Sequence, residues 1–306
     1  MKLSHVRDVL AVAELGSLRA AGRRVGIAQP AITRSIREIE HELGAALFER
    51  HSKGVRLTLV GEAFTRRALI VDSELRRARE EVEQIKGRST GQVRVAMSLS
   101  SSIALLPMAL ACFRKRYPDA LVSLSESSFE AVEHEVADGR IDFFVGGLDL
   151  QSVAPGLSVD RLFDNDGVVV ARRGHKLLET NSLESIAAAR WIRPSLSTQA
   201  SEADFERFFE ERGLPRPIVV MQTRSAVQTL VAVASSDLLS AVPRQWLDLP
   251  GLADSVGVLT QVGPVAAAPV CVVRQSGVPL TPIAEHLCDV VRRRAANYQR
   301  ELSLSL

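Results

Sequence analysis

Four side chains near the start of the chain are of types that hydrogen-bond to nucleic acid. They are Gln29, Thr33, Arg34 and Arg37. Glutamine can form two hydrogen bonds to an adenine edge, arginine can bond to a guanine edge or a phosphate, and threonine suits either base. Pro30 lies beside them, where the first turn of a helix tolerates a missing N–H. This chemistry predicts a helix that reads base edges in DNA.

Two short helical patterns with a tight break between them would position these side chains. Ser17 is a good N-cap for the first pattern, and Gly26 supplies the conformational freedom of the break. The second pattern carries an apolar stripe opposite the polar residues. The stripes consist of Leu18, Ala21 and Val25 in the first helix, and Ile32, Ile36, Ile39 and Leu43 in the second. The spacing predicts a helix-turn-helix; the alternative is an ordinary helical hairpin with a solvated charged face.

A short two-stranded wing is predicted immediately after these helices. Residues 47–50 and 55–57 bracket a polar tip that contains glycine. The tip offers Arg50, His51 and Lys53 to phosphates or to the minor groove. Basic residues on both the helix and the loop favour a nucleic-acid interface over a simple hairpin.

A long, ordered motif carries a family resemblance. It comprises Ala28-Gln29-Pro30-Ala31-Ile32-Thr33-Arg34, then Glu38-Ile39-Glu40, Leu43-Gly44, Leu47-Phe48-Glu49-Arg50 and Leu57-Thr58-x-x-Gly61-Glu62. The motif is similar to that of the LysR-type transcriptional regulators. One departure is Ala28, where the family commonly has a serine N-cap, and its loss should cost roughly 1 kcal/mol of helix stability.

The charge distribution agrees with a nucleic-acid partner for the first part of the chain only. Residues 1–90 contain 17 lysines and arginines against 12 acidic residues, whereas the remaining residues contain 21 against 24. No signal peptide or membrane span is predicted, so we expect a cytoplasmic protein. Three widely spaced cysteines in apolar surroundings predict reduced core thiols, and the histidine spacing gives no metal site.

A long helix is predicted from Thr58 to about Lys86. Its apolar positions alternate in steps of three and four, close to a heptad seam, which favours a partner helix over packing within its own domain. They are Val60, Phe64, Ala68, Val71, Leu75, Ala78, Val82 and Ile85. We therefore expect a dimerisation helix, as the resemblance also implies, and a near-palindromic DNA target.

Strands and helices alternate after a polar linker at residues 87–91, which predicts a mostly parallel sheet covered by helices. The fold class is α/β overall, with an N-terminal all-α winged helix-turn-helix. The predicted domains are 1–58 for DNA binding, 59–90 for dimerisation and 91–306 for effector binding. The resemblance implies a type II periplasmic-binding-protein-like effector domain, with subdomain I at about 91–162 and 268–298 and subdomain II at about 163–267.

A serine cluster follows the first strand of this domain and precedes a helix. Ligands of such sheets bind beyond the carboxyl ends of strands, near free helix N–H groups. The cluster contains Ser98, Ser100, Ser101 and Ser102. From the residues alone, an anion-binding site and a local capping loop are equally good interpretations. The resemblance favours the effector site.

The other half of the domain offers further candidates for the same cleft. By family analogy, Ser197, Thr198 and Thr223 face the serine cluster, and Gly147 would let a ligand approach the backbone. Arg193 and Arg224 are alternative charge partners for an anion, or surface residues. The effector expected is a carboxylate or sulfonate.

The sequence thus predicts a ligand-responsive, DNA-binding regulator rather than an enzyme. The sequence lacks the G-x-S-x-G, H-E-x-x-H, P-loop and dinucleotide-binding motifs of common enzyme classes. A transport receptor would have no use for the basic segment at residues 1–90. We expect no catalytic residues, no metal and no cofactor. The expected partners are promoter DNA, a small effector and further copies of the chain, dimers assembling into homotetramers; RNA polymerase is an additional candidate.

Overall fold

The computed structural model describes residues 1–52, 54–87, 90–179, 182–194, 206–249, 251 and 253–304. These residues form two compact units. The first consists of Met1–Lys86 with Asp138–Arg140, and the second of Gly87–Ala137 with Ile141–Leu306. Among the described residues, no helix combines the length and apolar character needed to cross a membrane.

The first unit begins with three helices and a hairpin. The elements are α1 (Leu3–Leu15), α2 (Leu18–Val25), α3 (Gln29–Leu43), β1 (Phe48–His51) and β2 (Gly54–Leu57). Ser17 caps α2 by accepting a hydrogen bond from the Ala20 amide at 3.3 Å. Gly26 ends α2 with a φ of 79°, which only glycine adopts without strain. Ala28 starts α3 without a side-chain cap, as the sequence predicts.

The core of this unit confirms most of the predicted apolar stripe of α3. Ile32 and Ile39 are fully buried, and Ile36 is 5% exposed. Leu43 is instead 43% exposed. It lies in the last turn of α3, and the core position beyond Ile39 is taken by Leu47, just before the wing. The Glu40 carboxylate holds this connection by accepting hydrogen bonds from the Leu47 and Phe48 amides.

The long helix α4 (Leu59–Ile85) begins at a tight junction with the wing. The Thr58 hydroxyl accepts from the Gly61 amide at 3.0 Å and donates to the Ala46 carbonyl at 2.7 Å. A Cβ at Gly61 would lie 2.0 Å from the Leu47 carbonyl oxygen, so this contact requires glycine. The predicted seam of α4 is largely uncovered in the single chain, with exposed Val60, Val71, Ala78, Val82 and Ile85.

The second unit is built on one sheet. Within the described residues nine strands form it, in the order β4-β3-β5-β11-β6-β9-β7-β8, with β10 paired to β6. They are β3 (Gln92–Met97), β4 (Leu121–Glu126), β5 (Phe143–Gly147), β6 (Leu157–Arg172), β7 (Arg190–Pro194), β8 (Ile218–Thr223), β9 (Leu239–Pro243), β10 (Val256–Val258) and β11 (Val265–Gln275).

This sheet is mixed rather than mostly parallel. The pairs β3–β4, β3–β5, β7–β8 and β7–β9 are parallel, as predicted for alternating strands and helices. The long strands β6 and β11 are antiparallel to each other and to their other neighbours. These two strands cross from one half of the unit to the other, which joins two α/β halves.

Helices cover both halves of the sheet. They are α5 (Leu99–Arg116), α6 (Phe129–Ala137), α7 (Leu183–Ala187), α8 (Ala226–Ala234) and α9 (Pro282–Leu304), and residues 206–210 are also helical. In the first half, α5 and α9 pack together over a core that includes Phe113, Phe143 and Leu287. In the second half, Trp191 and Phe209 pack edge to face with ring centroids 5.2 Å apart.

Candidate nucleic-acid interface and ligand site

The predicted DNA-contacting side chains lie together on one face of α3. Gln29, Pro30, Arg34 and Arg37 are exposed, and Thr33 is half-buried. With Glu38 and His41 they line an open concavity of about 660 Å³. Because the isoleucine stripe on the opposite face is buried in the core, the polar face points away from the domain.

One of these side chains, that of Thr33, forms a hydrogen bond within α3. The Thr33 hydroxyl donates a hydrogen bond to the Gln29 carbonyl oxygen at 2.9 Å. This bond fixes the threonine rotamer and leaves the hydroxyl oxygen free to accept. The Gln29 side chain remains at the exposed first turn, where both its carbonyl and its amide can reach a base edge.

The wing is only partly described. The backbone of Arg50 lies in β1, its side chain is outside the described part, and Lys53 lies outside the described residues. His51 is exposed, and its Nε2 lies 3.1 Å from a Glu49 carboxylate oxygen, so its ring already has an acidic partner within the wing. Arg56 is an exposed cation on β2, opposite Glu49 in the hairpin register. Sequence reasoning missed Arg56, although its alternation with the apolar Val55 and Leu57 was a usable signal.

In the serine cluster of the second unit, the Ser98 side chain caps the helix and bonds to Ser101. Ser98 is the N-cap of α5: its Oγ accepts from the Ser101 amide at 3.3 Å and lies 3.0 Å from the Ser101 hydroxyl oxygen. Ser101 is fully buried, whereas Ser102 is half-buried. The hydrogen bonds of Ser98 and Ser101 are therefore those of a local capping loop.

Ser100 has a partner from the other half of the unit. The indole Nε1–H of Trp246 donates to the Ser100 Oγ at 3.1 Å. Ser100 is 6% exposed and Trp246 is 2% exposed, so this hydrogen bond is shielded from water. Around it, Leu99 and Ile103 of α5 pack on the core of the second half. Sequence reasoning missed Trp246, which lies 146 residues away.

We expect Ser100→Ala to destabilise the second unit by about 1–3 kcal/mol, because the buried indole N–H of Trp246 would lose its acceptor. Both tryptophans of the chain, Trp191 and Trp246, lie in this unit, so urea unfolding followed by tryptophan fluorescence measures it selectively. Ser102→Ala on the same helix is the control. The hydrogen bond is unimportant if both variants unfold at the wild-type urea concentration.

The remaining predicted ligand residues lie in different settings. Gly147 is at the end of β5, and a Cβ there would make only ordinary contact with Ala268. Gly146 is the restricted position, since a Cβ would come within 2.4 Å of Phe144 and 3.0 Å of Ser98. Thr223 is 5% exposed and its hydroxyl is 2.6 Å from that of Thr229.

The structure thus brings only part of the predicted ligand site together. The Ser98 amide donates to the Val145 carbonyl at 2.9 Å, which joins the serine cluster to the end of β5. Ser197 and Thr198 lie outside the described residues. Of the two alternative arginines, Arg224 is exposed and Arg193 is half-buried.

Two of the three cysteines are buried and one is exposed. Burial raises the pKa of the Cys271 thiol to about 11 and that of Cys288 to about 12, so both stay protonated near neutral pH. Cys112 is exposed, in contrast to the core position expected from the sequence. No group of three potential metal ligands occurs among the described residues.

Two family models match the sequence. Residues 3–62 match the model described as bacterial regulatory helix-turn-helix protein, lysR family, and residues 86–296 match the LysR substrate binding domain. The chain is 29% identical over 284 residues to the HTH-type transcriptional regulator GalR of Pseudomonas putida, covering 86% of this chain and 70% of the relative. It is 26% identical over 247 residues to GbpR of Azospirillum brasilense, covering 80% and 72%.

Solved structures share the fold. Full-length CbnR complexed with its target DNA has a TM-score of 0.70 at 23% identity, covering 96% of this chain and 100% of CbnR. A full-length OxyR variant from Pseudomonas aeruginosa has a TM-score of 0.70 at 20% identity, covering 95% of each chain.

Proposed function

This chain belongs to the LysR family of DNA-binding transcriptional regulators. We propose that it binds a near-palindromic promoter site, and that a small anion changes its binding to that DNA or the bending of that DNA. The observation that carries the proposal is the exposed polar face of α3, whose opposite face is buried. A regulator of this kind works in the cytoplasm, where promoter DNA is accessible, and RNA polymerase is a candidate further partner.

In the proposed complex, α3 lies in the major groove. Gln29 and Thr33 read base edges, Arg34 and Arg37 contact guanine or phosphate, and Pro30 begins the helix. The wing residues Arg50 and Lys53 would contact the backbone or the minor groove, together with the exposed Arg56. Phosphate contacts set the position of the domain, and the base contacts select the sequence.

A dimer would present two such helices to the two half-sites. The exposed seam of α4 supports helix pairing, because apolar side chains at heptad spacing are covered in a coiled coil. A homotetramer needs a second interface, and the second unit has exposed apolar residues on both edge strands. These are Leu121 and Leu124 on β4, and Ile218, Val220 and Met221 on β8.

We place the effector between the two halves of the second unit, near the start of α5. The proposed contacts are Ser98, Ser100, Ser101, Ser102, Gly147, Ser197, Thr198 and Thr223. A carboxylate or sulfonate suits hydroxyl and helix N–H donors. A ligand that reaches Ser100 must compete with the Trp246 indole, so binding would alter the packing between the halves and thereby the spacing or bending of bound DNA.

The experiment is fluorescence anisotropy of the full-length protein on labelled DNA from upstream of its own gene. Titrations at about 50 mM and about 200 mM salt, each against unlabelled scrambled competitor, separate specific from non-specific binding. We expect binding that survives the competitor at the higher salt. Equal loss of binding on both DNAs would contradict sequence-specific reading. The same assay then screens small carboxylates and sulfonates for a change in affinity.

A further inference from the structure

Helix α3, the proposed recognition helix, is held to α1 by polar contacts as well as by apolar packing. The interface between α1 and α3 contains Val9 and Val12 against the isoleucine stripe of α3. Inside it, the Asp8 carboxylate accepts a hydrogen bond from the Ser35 hydroxyl at 2.6 Å. Asp8 is 3% exposed and Ser35 is 9% exposed. A buried carboxylate therefore lies directly behind the helix that faces DNA.

A second polar contact follows along the same pair of helices. His5 lies three residues before Asp8, and its Nε2 is 3.4 Å from a carboxylate oxygen of Glu38, three residues after Ser35. His5 is 7% exposed. The two contacts run antiparallel, so α1 and α3 meet at matched positions over about one turn of each helix.

Burial of the Asp8 carboxyl group carries a free-energy cost. A buried carboxylate loses its hydration, and a well-packed apolar pair would often be as stable or more stable. The second Asp8 oxygen makes no hydrogen bond among the described residues, and its nearest cation is Arg7, 3.7 Å away. In some proteins, a buried polar group selects one arrangement among several that apolar packing would permit.

Rotation of α3 is the arrangement that matters for reading DNA. Arg34 precedes Ser35 by one residue and Arg37 precedes Glu38 by one, so each arginine is fixed relative to an anchored neighbour. Side-chain tips lie about 5–6 Å from a helix axis, so a rotation of about 20° would move them by about 2 Å. Base-edge contacts need placement within about 0.5 Å.

We propose that Asp8 is a positioning residue for sequence reading: through Ser35, with His5 and Glu38 beside it, it fixes the rotation of the recognition helix. This inference rests on the proposed base reading by α3. It predicts that losing the Asp8–Ser35 hydrogen bond weakens discrimination between DNA sequences beyond any effect of lost stability, while leaving non-specific phosphate binding largely intact.

The test compares three full-length variants on two labelled duplexes. One duplex is selected from a random library by the wild-type protein, and the other is its scrambled version. Ser35→Ala removes the hydroxyl donor. Asp8→Asn keeps an oxygen acceptor for Ser35. Val12→Ala is the stability control, because it opens a cavity in the same apolar core and keeps both partners of the Asp8–Ser35 hydrogen bond. Thermal unfolding by far-UV circular dichroism ranks their stability.

We expect Ser35→Ala to lower the ratio of specific to scrambled affinity by about tenfold or more, which corresponds to losing one good base contact. Asp8→Asn should stay within about threefold of wild type, and Val12→Ala should keep the ratio although it unfolds at a lower temperature. A ratio unchanged in Ser35→Ala would overturn the inference. An equal fall in Val12→Ala, or a loss in Asp8→Asn as large as in Ser35→Ala, would also do so.

The same data separate this inference from the proposed function. If the wild-type protein selects no sequence from the library, base reading by α3 itself is wrong. If the wild type discriminates and Ser35→Ala discriminates equally well, base reading stands and only the positioning role of Asp8 fails.

Discussion

Replacing Leu75 with aspartate should halve the mass of the particle in solution. Leu75 lies in the middle of the apolar seam of α4, between the exposed Val71 and Val82. In a symmetric dimer the substitution occurs twice, so two carboxylates would be buried without partners. Each unpaired buried charge costs about 3–5 kcal/mol, which weakens pairing by more than about a hundredfold even for one of the two.

Light scattering coupled to size exclusion measures this mass directly. The matched control is Arg66→Asp, which places the same side chain on an exposed position of the opposite face of α4 and should leave the mass unchanged. A wild-type mass retained by Leu75→Asp would contradict helix pairing through the seam. Assembly would then have to rest on another surface, such as the edge strands β4 and β8.

The same helix-level reasoning explains why the first unit was largely predictable from its sequence. The helix-capping bonds of Ser17, Gly26 and Thr58 each span three or four residues, and the isoleucine stripe repeats at the helical period. Such local signals are complete in a short window. They fixed which side of α3 is buried, and therefore which residues face outward, before any tertiary contact was known.

The second unit was less predictable because its decisive contacts are distant in sequence. In the long strand β6, only Val168–Val170 forms the apolar run that is typical of a buried strand, because the first part of β6 mixes polar residues with apolar ones. Antiparallel pairing with β11 joins residues 98 to 118 positions apart. Strand alternation alone predicted parallel neighbours, and it could not show where the chain crosses between halves.

Single side-chain partners were the hardest features to predict. Nothing in the window around Ser100 indicates that Trp246 will donate to it, and nothing around Asp8 indicates Ser35. Both partners of each pair are ordinary residues for their helices or turns. Folding brings them together, and burial then gives each hydrogen bond its importance, because an unpaired buried polar group is costly. The serine cluster could therefore be located, but its division between capping and ligand contact could not.

Gln29→Ala should weaken binding to the specific DNA by about 5- to 150-fold, the equivalent of about 1–3 kcal/mol for a lost bidentate contact to adenine. Gln29 is exposed in the first turn of α3, and it is its backbone carbonyl, not its side chain, that accepts the hydrogen bond from the Thr33 hydroxyl. The side chain therefore supports neither the core nor the turn, and its removal should leave the melting temperature unchanged.

The salt dependence distinguishes this loss from a simple loss of charge. Glutamine is neutral, so its removal does not change the number of counterions that are released when the protein binds DNA. The slope of log affinity against log salt concentration should therefore equal that of the wild type. Gln151→Ala, the same change at an exposed site in the second unit, is the control and should bind like the wild type. Equal weakening on scrambled DNA would show that Gln29 supports general contact with the duplex. Loss confined to the selected sequence, at an unchanged slope, requires a base edge as its partner, because phosphates are the same in both duplexes.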